Sequence, residues 1–196
     1  MEQENNVAFK EWAAIVNALS EGKQMIIVRK GGIREEGGEF QVEHKEFFLF
    51  PTFEHQKYED LKSGARPYLE RAISEKPVNN QIPIRYYAEA KSVIQLTDEQ
   101  DLARLNPYHV WSEKAMTERF HFGSKKGFFV LAVKVYRLPQ ISLVPFQSEY
   151  GGCKSWVELK SRLKTAGVSP VITDPEFESQ LNHIHSLLIK SPAKKS

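Results

Sequence analysis

Two Glu-x-Lys triplets are the residues of this chain whose types and spacing come closest to a hydrolytic metal site. Restriction-type nucleases use an acidic residue and a Glu-x-Lys triplet on a strand to hold Mg²⁺ and orient a water molecule. Glu89-Ala-Lys91 lies in a predicted strand, with Asp60 or Glu70 as the upstream acid. Glu158-Leu-Lys160 lies in a predicted helix, which is the wrong context. Glu89 and Lys91 therefore define a nuclease alternative, although such triplets arise often by chance and two exposed residues on one strand edge are the simpler explanation.

Other catalytic groups find less support in the sequence. The single cysteine, Cys153, follows two glycines in a predicted loop, and free cysteines are more often buried than reactive. His183 and His185 are two residues apart on a predicted helix, so they lie on different faces and do not share a metal. No glycine-rich nucleotide-binding motif is present. The sequence therefore predicts no cofactor, with Mg²⁺ required only under the nuclease alternative.

Cations and aromatic residues are interleaved in the second half of the chain. Residues 119–148 contain five cations and no acid. Aromatic rings that stack on bases, beside cations that pair with phosphates, are typical of proteins that hold single strands or flipped bases. The alternative is that the aromatic residues are core and the cations are scattered over the surface. The predicted nucleic-acid-binding residues are Arg29, Lys30, Trp111, Arg119, His121, Lys125, Lys126, Arg137, Lys154 and Trp156.

Helical spacing of apolar residues predicts the elements that position these groups. Helices are expected over residues 12–19, over 58–73 with a break near Pro67, over 97–105, over 112–119, over 155–166 and from 174 onward. Pairs of residues at capping-box spacing, Thr97 with Gln100 and Ser155 with Glu158, support two of them. Ser112 is the expected N-cap of the helix over 112–119.

Strands are predicted where β-branched and aromatic residues cluster between turn residues. They cover residues 25–28, 40–50, 84–96 and 128–138, where Pro139 ends the last one. Residues 141–146 form an expected edge strand, and residues 25–29 are expected beside 47–50. Because the helices are inserted irregularly among five or six strands, the pattern favours an α+β fold with a partly closed mixed or antiparallel sheet.

Length and composition set the broad class of protein. The chain has 196 residues, which predicts one domain over residues 1–190 and a disordered basic tail over 191–196. The net charge is only +2, and no apolar run approaches the ~20 residues that cross a bilayer. With a lone cysteine and no signal peptide, the sequence predicts a cytoplasmic protein without a membrane partner.

Six segments in this order resemble a known family. They are FKEWA at 9–13, VRKGGI at 28–33, FFLFPTFEHQ at 47–56, HVWS at 109–112, VYRL at 135–138 and EYGGCKSWVEL at 149–159. Together they resemble the uncharacterised bacterial domain-of-unknown-function family 1802, which is common in cyanobacteria. The resemblance implies no established activity, and the association of some relatives with a restriction-endonuclease-like domain implies a place in DNA processing or defence. The layout of residues 112–138 is more loosely similar to barrels of the pseudouridine-synthase-and-archaeosine-transglycosylase (PUA) type.

Three hypotheses follow from these patterns. The first is a non-catalytic nucleic-acid-binding module in which residues 119–137 hold phosphates and Trp111 or Trp156 offers a stacking face. The second is the metal-dependent nuclease that uses Glu89 and Lys91. The third is a protein-interaction subunit that uses the loops at 54–55 and 150–156 to bind a protein partner.

Overall fold

The structure, a computed structural model, describes residues 1–30, 33–36, 39–77, 79–123, 126–152 and 154–188. Lys125, Cys153 and the predicted tail at 191–196 lie outside these residues. The strands are β1 (Glu4–Trp12), β2 (Ile26–Arg29), β3 (Ile33–Glu36), β4 (Glu39–Val42), β5 (Glu46–Thr52), β6 (Gln81–Leu96), β7 (Phe128–Pro145), β8 (Trp156–Lys164) and β9 (Ser169–Pro170). The helices are α1 (Ala13–Leu19), α2 (Arg66–Ser74), α3 (Asp101–Leu105), α4 (Glu113–His121) and α5 (Asp174–Leu188).

Mixed α and β structure surrounds one large sheet, as the sequence predicts. The described strands form a seven-stranded sheet in the order β2-β7-β6-β5-β1-β8, and β9 pairs with β7 beside β2. β1 and β5 run parallel, and the other ladders of this sheet are antiparallel. No ladder among the described residues joins β2 to β8, so the sheet stays open. β3 and β4 form a separate two-stranded sheet.

Alternation along the strands sends successive side chains to two different apolar clusters. Ala8 and Phe48 lie in one cluster, whereas their neighbours Phe9 and Phe47 lie in the other. This is the two-residue period of a sheet that is covered on both faces. The larger cluster also contains the apolar side chains of α1, α4 and α5, which cover one face of the sheet.

α1 joins the end of β1 to the core. Each of its residues from Ala13 to Leu19 is buried, and the helix follows β1 directly. It lies against α2, whose buried residues Leu69 and Ala72 belong to the face that α1 covers. None of the helices in the described part of the chain is long and apolar enough to span a bilayer.

Several predicted elements are wrong in their extent or type. The predicted strand over 40–50 is two strands, β4 and β5, in separate sheets, and the predicted helix over 58–73 is α-helical only from Arg66. Within the predicted helix over 155–166, residues 156–164 form strand β8, because buried Val157 and Leu159 alternate with exposed Glu158 and Lys160. The Glu158-Leu-Lys160 triplet is therefore also on a strand. The predicted separate strands at 128–138 and 141–146 are one continuous strand, β7, which passes through Pro139.

The predicted neighbours and one predicted cap also differ from the structure. β2 pairs with β7, so β7 and β6 separate residues 25–29 from residues 47–50. The expected capping box of Thr97 and Gln100 is not formed, since the Asp98 carboxylate accepts the Gln100 backbone N–H at 3.0 Å. The Ser112 cap is confirmed, because its hydroxyl accepts the Ala115 backbone N–H at 3.2 Å.

Candidate functional site

A cleft of about 680 Å³ opens at one end of the sheet. The parallel strands β1 and β5 end here together, with Trp12 paired with Thr52, and β8 begins here at Trp156. The start of β6 and the end of β7 complete the same edge. Clefts of ~300–1,000 Å³ commonly hold small molecules or single groups of larger ligands. The sheet therefore gathers five strand ends around a space of ligand size.

Lys10 fastens one wall of the cleft to β1. Its ammonium donates to the backbone carbonyls of Tyr150 and Gly152, each at 2.7 Å. Its backbone N–H donates to the Ser155 carbonyl at 2.8 Å. These three bonds hold the segment that connects β7 to β8 against the strand that forms the floor.

An ion pair between Glu11 and Arg29 lies beside this wall. The Glu11 carboxylate, whose side chain is 3% exposed, contacts the Arg29 guanidinium at 3.1 Å and accepts the Trp12 backbone N–H at 2.8 Å. Arg29 also donates to the Lys10 carbonyl and lies 4.5 Å from the centroid of the Phe9 ring. A buried carboxylate requires this compensation, because desolvation alone would strongly disfavour its charge. The pair ties β2 to the end of β1.

Arg119 lies behind the cleft and stacks on two tryptophans. Trp12, which lines the cleft, lies 4.8 Å from Trp111 between ring centroids. The pKa of Arg119 is lowered, and burial is the largest cause. The charge of Arg29 lowers it as well, whereas the carboxylates of Glu11 and Asp60 raise it. Trp111 is 2% exposed, so it offers no open face for a base. The prediction that Trp111 stacks on nucleic acid is therefore wrong, because this ring is part of the core.

Two exposed loops form the mouth of the cleft and meet through an ion pair. Glu54 and Lys76 are 2.8 Å apart, and both side chains line the cleft. His55 has φ 60° and Asn80 has φ 49°, and they are the non-glycine residues with positive φ in the described chain. Both line the cleft. Such conformations cost free energy and cluster at functional sites, so these two residues indicate a functional role for the mouth of the cleft.

Aromatic side chains form a further part of the cleft lining, the aromatic wall. The Tyr150 ring lies edge-on to Phe50, with centroids 5.7 Å apart, and edge-on to Phe146 at 6.3 Å. Phe50 and Tyr150 are buried, whereas Phe146 is 43% exposed. The Phe146 backbone N–H donates to the Asn80 carbonyl at 2.7 Å, which joins the aromatic wall to the mouth. The cleft thus combines an accessible ring with four cationic side chains, those of Lys10, Arg29, Lys76 and Lys154.

Comparison with known proteins identifies the family. The sequence matches the domain of unknown function family (DUF1802) over residues 8–183 of its 196 residues. The chain belongs to the DUF1802 family. The resemblance carried by the six sequence segments is thereby confirmed. No curated protein matches this DUF1802 chain in sequence.

Solved structures of ASCH from Zymomonas mobilis are similar to the DUF1802 chain in layout. The crystal structure of ASCH is 13% identical, covering 79% of this chain and 87% of that one, with a TM-score of 0.46. Two mutants of the same protein are 10% and 12% identical, cover 82% and 79% of this chain and 92% and 89% of theirs, and have TM-scores of 0.47. The function of this DUF1802 chain has to be argued from its own residues.

The segments that carry the DUF1802 resemblance meet at the cleft. FKEWA supplies Lys10 and Trp12, VRKGGI supplies Arg29, and FFLFPTFEHQ supplies the stretch from 50 to 55. EYGGCKSWVEL supplies the wall at 150–152 and 154–155, and HVWS supplies Trp111 behind Trp12. Five of the six segments, distant in sequence, therefore converge on this site.

Of the predicted binding residues, Arg29 and Lys154 line the cleft of the DUF1802 chain, and Trp156 begins β8 beside it. Lys154 is exposed and donates to the Glu149 carbonyl at 3.2 Å. Trp156 is half-buried and lies edge-on to Phe9, with centroids 4.6 Å apart.

The remaining predicted cations are dispersed. Lys30 donates to the Phe120 carbonyl at 2.9 Å, and His121 contacts Glu99 at 3.0 Å. Arg137 is exposed on β7 and lies 5.5 Å from the Tyr86 ring centroid, while Lys126 is exposed beyond α4. Lys125 lies outside the described residues. The cations of 119–137 that the structure describes therefore do not line the cleft, where the DUF1802 segments meet.

Glu89 and Lys91 neutralise each other on β6. Their side chains are 2.5 Å apart, and the second Glu89 oxygen lies 3.4 Å from the Tyr136 hydroxyl. Glu46 lies opposite Glu89 in the β5–β6 ladder, but its carboxylate contacts the amino group of Met1 at 3.3 Å. Across the described ranges, no three His, Cys, Asp or Glu side chains come together as a metal-ligand group. The geometry around Glu89 and Lys91 in this DUF1802 chain therefore gives the nuclease alternative less support than the sequence triplet does.

Sequence reasoning missed the residues that shape the mouth and the aromatic wall. Lys76, Asn80 and Phe146 belong to three separate turns, and no local motif connects them. The loop at 54–55 was singled out only for the protein-interaction hypothesis. The usable signal was the family resemblance itself, since its segments already contained most of the cleft of this DUF1802 chain.

Proposed function

We propose that this chain is a non-catalytic nucleic-acid-binding module and that it binds single-stranded nucleic acid in the cleft. The observation that carries the proposal is the accessible Phe146 ring beside the cations of one ligand-sized cleft. A base stacked on an aromatic ring gains ~1–3 kcal/mol whatever its identity, and the phosphates beside it pair with cations. A duplex keeps its bases stacked on one another, so a single strand fits this arrangement better.

Charge at the mouth supports an anionic ligand. Lys76 is 53% exposed at its side chain, and Lys154 is exposed in the connection from β7 to β8. Both line the same cleft as Phe146 and would pair with phosphates of a strand bound there. Binding through such contacts releases counterions, so the affinity should fall steeply as salt increases.

Fluorescence anisotropy tests this proposal directly. Labelled single- and double-stranded DNA and RNA would be titrated at two salt concentrations, with and without Mg²⁺, and a gel would follow probe cleavage. We expect salt-sensitive binding that favours single strands and leaves the probe intact. Binding that ignores salt, or cleavage that requires Mg²⁺ and Glu89, would contradict the proposal.

A matched pair of charge reversals places the binding in the cleft. Lys154→Glu reverses a cation of the cleft, whereas Lys114→Glu reverses a cation on α4 that is 70% exposed and outside the cleft. Each changes the net charge equally. We expect the first to weaken binding to all sequences and to reduce the salt slope by about one, and the second to do neither. Equal effects of the two reversals would place the contact elsewhere.

Protein binding is the second candidate function. The loops at 54–55 and 150–156, which the sequence favours for this role, lie on the same cleft. Ile141 and Leu143 are 52% and 63% exposed on β7, the strand that leads to Phe146. The same titrations separate the two functions, because a protein-interaction subunit binds none of the probes at either salt concentration.

A further inference from the structure

The ion pair at the mouth joins the two strained loops. Glu54 follows β5 and precedes His55, and Lys76 follows α2 and precedes the turn that contains Asn80. The two charged groups are 2.8 Å apart, so the pair connects one side of the mouth to the other. Their side chains are 71% and 53% exposed, which places the contact at the solvent side of the cleft.

A pair with this exposure is easily opened. Solvent-exposed ion pairs contribute little to stability, because water and salt screen both charges and two long side chains must be held in place. Among the described residues, Lys76 is the hydrogen-bonding and ion-pair partner of the Glu54 side chain, so no buried group holds Glu54 in place once this pair opens. The Glu54 carboxylate therefore occupies the position in which Lys76 would bind another anion. Moving the carboxylate away from Lys76 costs little free energy.

We propose that Glu54 is a resident anion that a phosphate group of the ligand displaces from Lys76. The ligand phosphate takes the position of the carboxylate on the Lys76 ammonium, and the loops that carry His55 and Asn80 separate as the pair opens. This inference rests on the proposed function and adds to it a phosphate subsite and a means of controlling access. Glu54 reduces the affinity of the protein for its ligand, because its carboxylate is paired with the Lys76 ammonium and repels the ligand phosphate.

Glu54→Gln is the first test. It removes the competing carboxylate and leaves Lys76 in place, so the affinity for a single-stranded oligonucleotide should increase about two- to fivefold. The matched control is Glu21→Gln, which breaks an exposed pair with Arg71 at 2.6 Å outside the cleft and changes the net charge equally. If both variants bind with the same affinity, Glu54 is not a competing anion and the inference is overturned.

A double-mutant cycle separates displacement from simple repulsion. Lys76→Gln should weaken binding, and adding Glu54→Gln to it should recover little, because no cation remains to be released. Coupling of this kind is expected only between groups that share a partner or a contact. An equal gain from Glu54→Gln in both backgrounds would show that the carboxylate acts through general repulsion alone.

The displacement can also be followed without nucleic acid. The hydrogen bond from Lys76, followed by its charge, lowers the pKa of Glu54. With inorganic pyrophosphate as the probe, an NMR titration of the Glu54 carboxyl should show its pKa rising toward the ordinary value, and no such rise in Lys76→Gln. Pyrophosphate that leaves the Glu54 pKa unchanged would overturn the displacement. Absence of oligonucleotide binding in every variant would instead overturn the proposed function.

Discussion

The guanidinium carbon of Arg119 lies 3.9 Å from the centroid of the Trp111 ring. The same group lies 5.7 Å from the ring of Trp12, so one cation stacks on both tryptophans behind the cleft. Sequence patterns suggest a phosphate contact for Arg119, but its burial gives it a different role. It holds Trp12, a residue of the cleft, against the core.

Replacing Arg119 with Met should therefore destabilise the fold. Cation–π contacts are worth ~0.5–1 kcal/mol at exposed sites and ~2 kcal/mol or more when desolvated, so for this half-buried guanidinium we expect the free energy of unfolding to fall by ~1–2 kcal/mol. Arg119→Lys keeps the charge but loses the planar stacking group, and should recover only part of the loss. Urea unfolding of the two variants measures the difference. Full recovery by Lys would show that charge alone matters here.

Phe146→Ala should weaken binding without unfolding the protein. The ring is 43% exposed, so little core is lost, whereas one stacking partner for a base is removed. We expect the affinity for single strands to fall about tenfold, or ~1.4 kcal/mol, which lies in the lower part of the ~1–3 kcal/mol that stacking of one base contributes. Phe122→Ala is the control, since Phe122 is 73% exposed and lies outside the cleft. An equal loss in the control would contradict a stacking role for Phe146.

Acid should destabilise the protein through His109. The pKa of His109 is lowered to about 3: burial lowers it most, the nearby Lys62 ammonium lowers it as well, and a contact to the Trp111 backbone partly offsets both. The pKa in the unfolded chain is higher, ~6.5, so the unfolded state binds the proton first as the pH falls. The free energy of unfolding should therefore decrease between pH 6.5 and 3, by up to ~1.4 kcal/mol per pH unit.

His109→Leu removes this titration. Neither ring nitrogen of His109 has a hydrogen-bond partner among the described residues, so the loss of polar contacts should be small at pH 7. Urea unfolding at pH 7, 6 and 5 should show a shallower decline for the variant than for the parent protein. Parallel declines would assign the acid sensitivity to other groups. The exposed His121, replaced in the same way, serves as the comparison.

Gly127 should tolerate no side chain. Its φ is +94°, and a Cβ atom there would lie 2.3 Å from the Leu96 carbonyl oxygen. Gly123 has φ +79° but nothing within 4 Å of its Cβ position. Gly123→Ala should therefore cost only the left-handed strain, ~1–2 kcal/mol, and Gly127→Ala substantially more. Thermal unfolding compares the two, and similar midpoints would show that the β6–β7 connection adjusts.

The sequence predicted most element types, and its two main errors have physical causes. At 155–166 a capping-box pattern suggested a helix, although the pairing of β8 with β1 decides the structure there. At Pro139 the sequence predicted a strand end, yet the β6–β7 register shifts between Ile84 and Tyr86, opposite this stretch. Proline is tolerated where a bulge removes the need for a ladder hydrogen bond.

The candidate site was harder to predict than the fold, because nearness in sequence was taken as nearness in space. Arg119 and Arg137 belong to one acid-free segment, but the first is half-buried and stacks on Trp111, and the second lies on an exposed strand face. Lys76 and Lys154 stand alone in the sequence and share the cleft. Only the tertiary structure decides which cations meet.

The position of β1, which pairs in parallel with β5 and antiparallel with β8 on its other side, has a consequence for synthesis. β1 carries Lys10, Glu11 and Trp12, but its second neighbour lies at 156–164, near the other end of the chain. Contacts this distant in sequence close late and slow folding. A nascent chain that has not reached β8 therefore has no completed cleft, and ligand binding should begin only after the whole sheet has been translated.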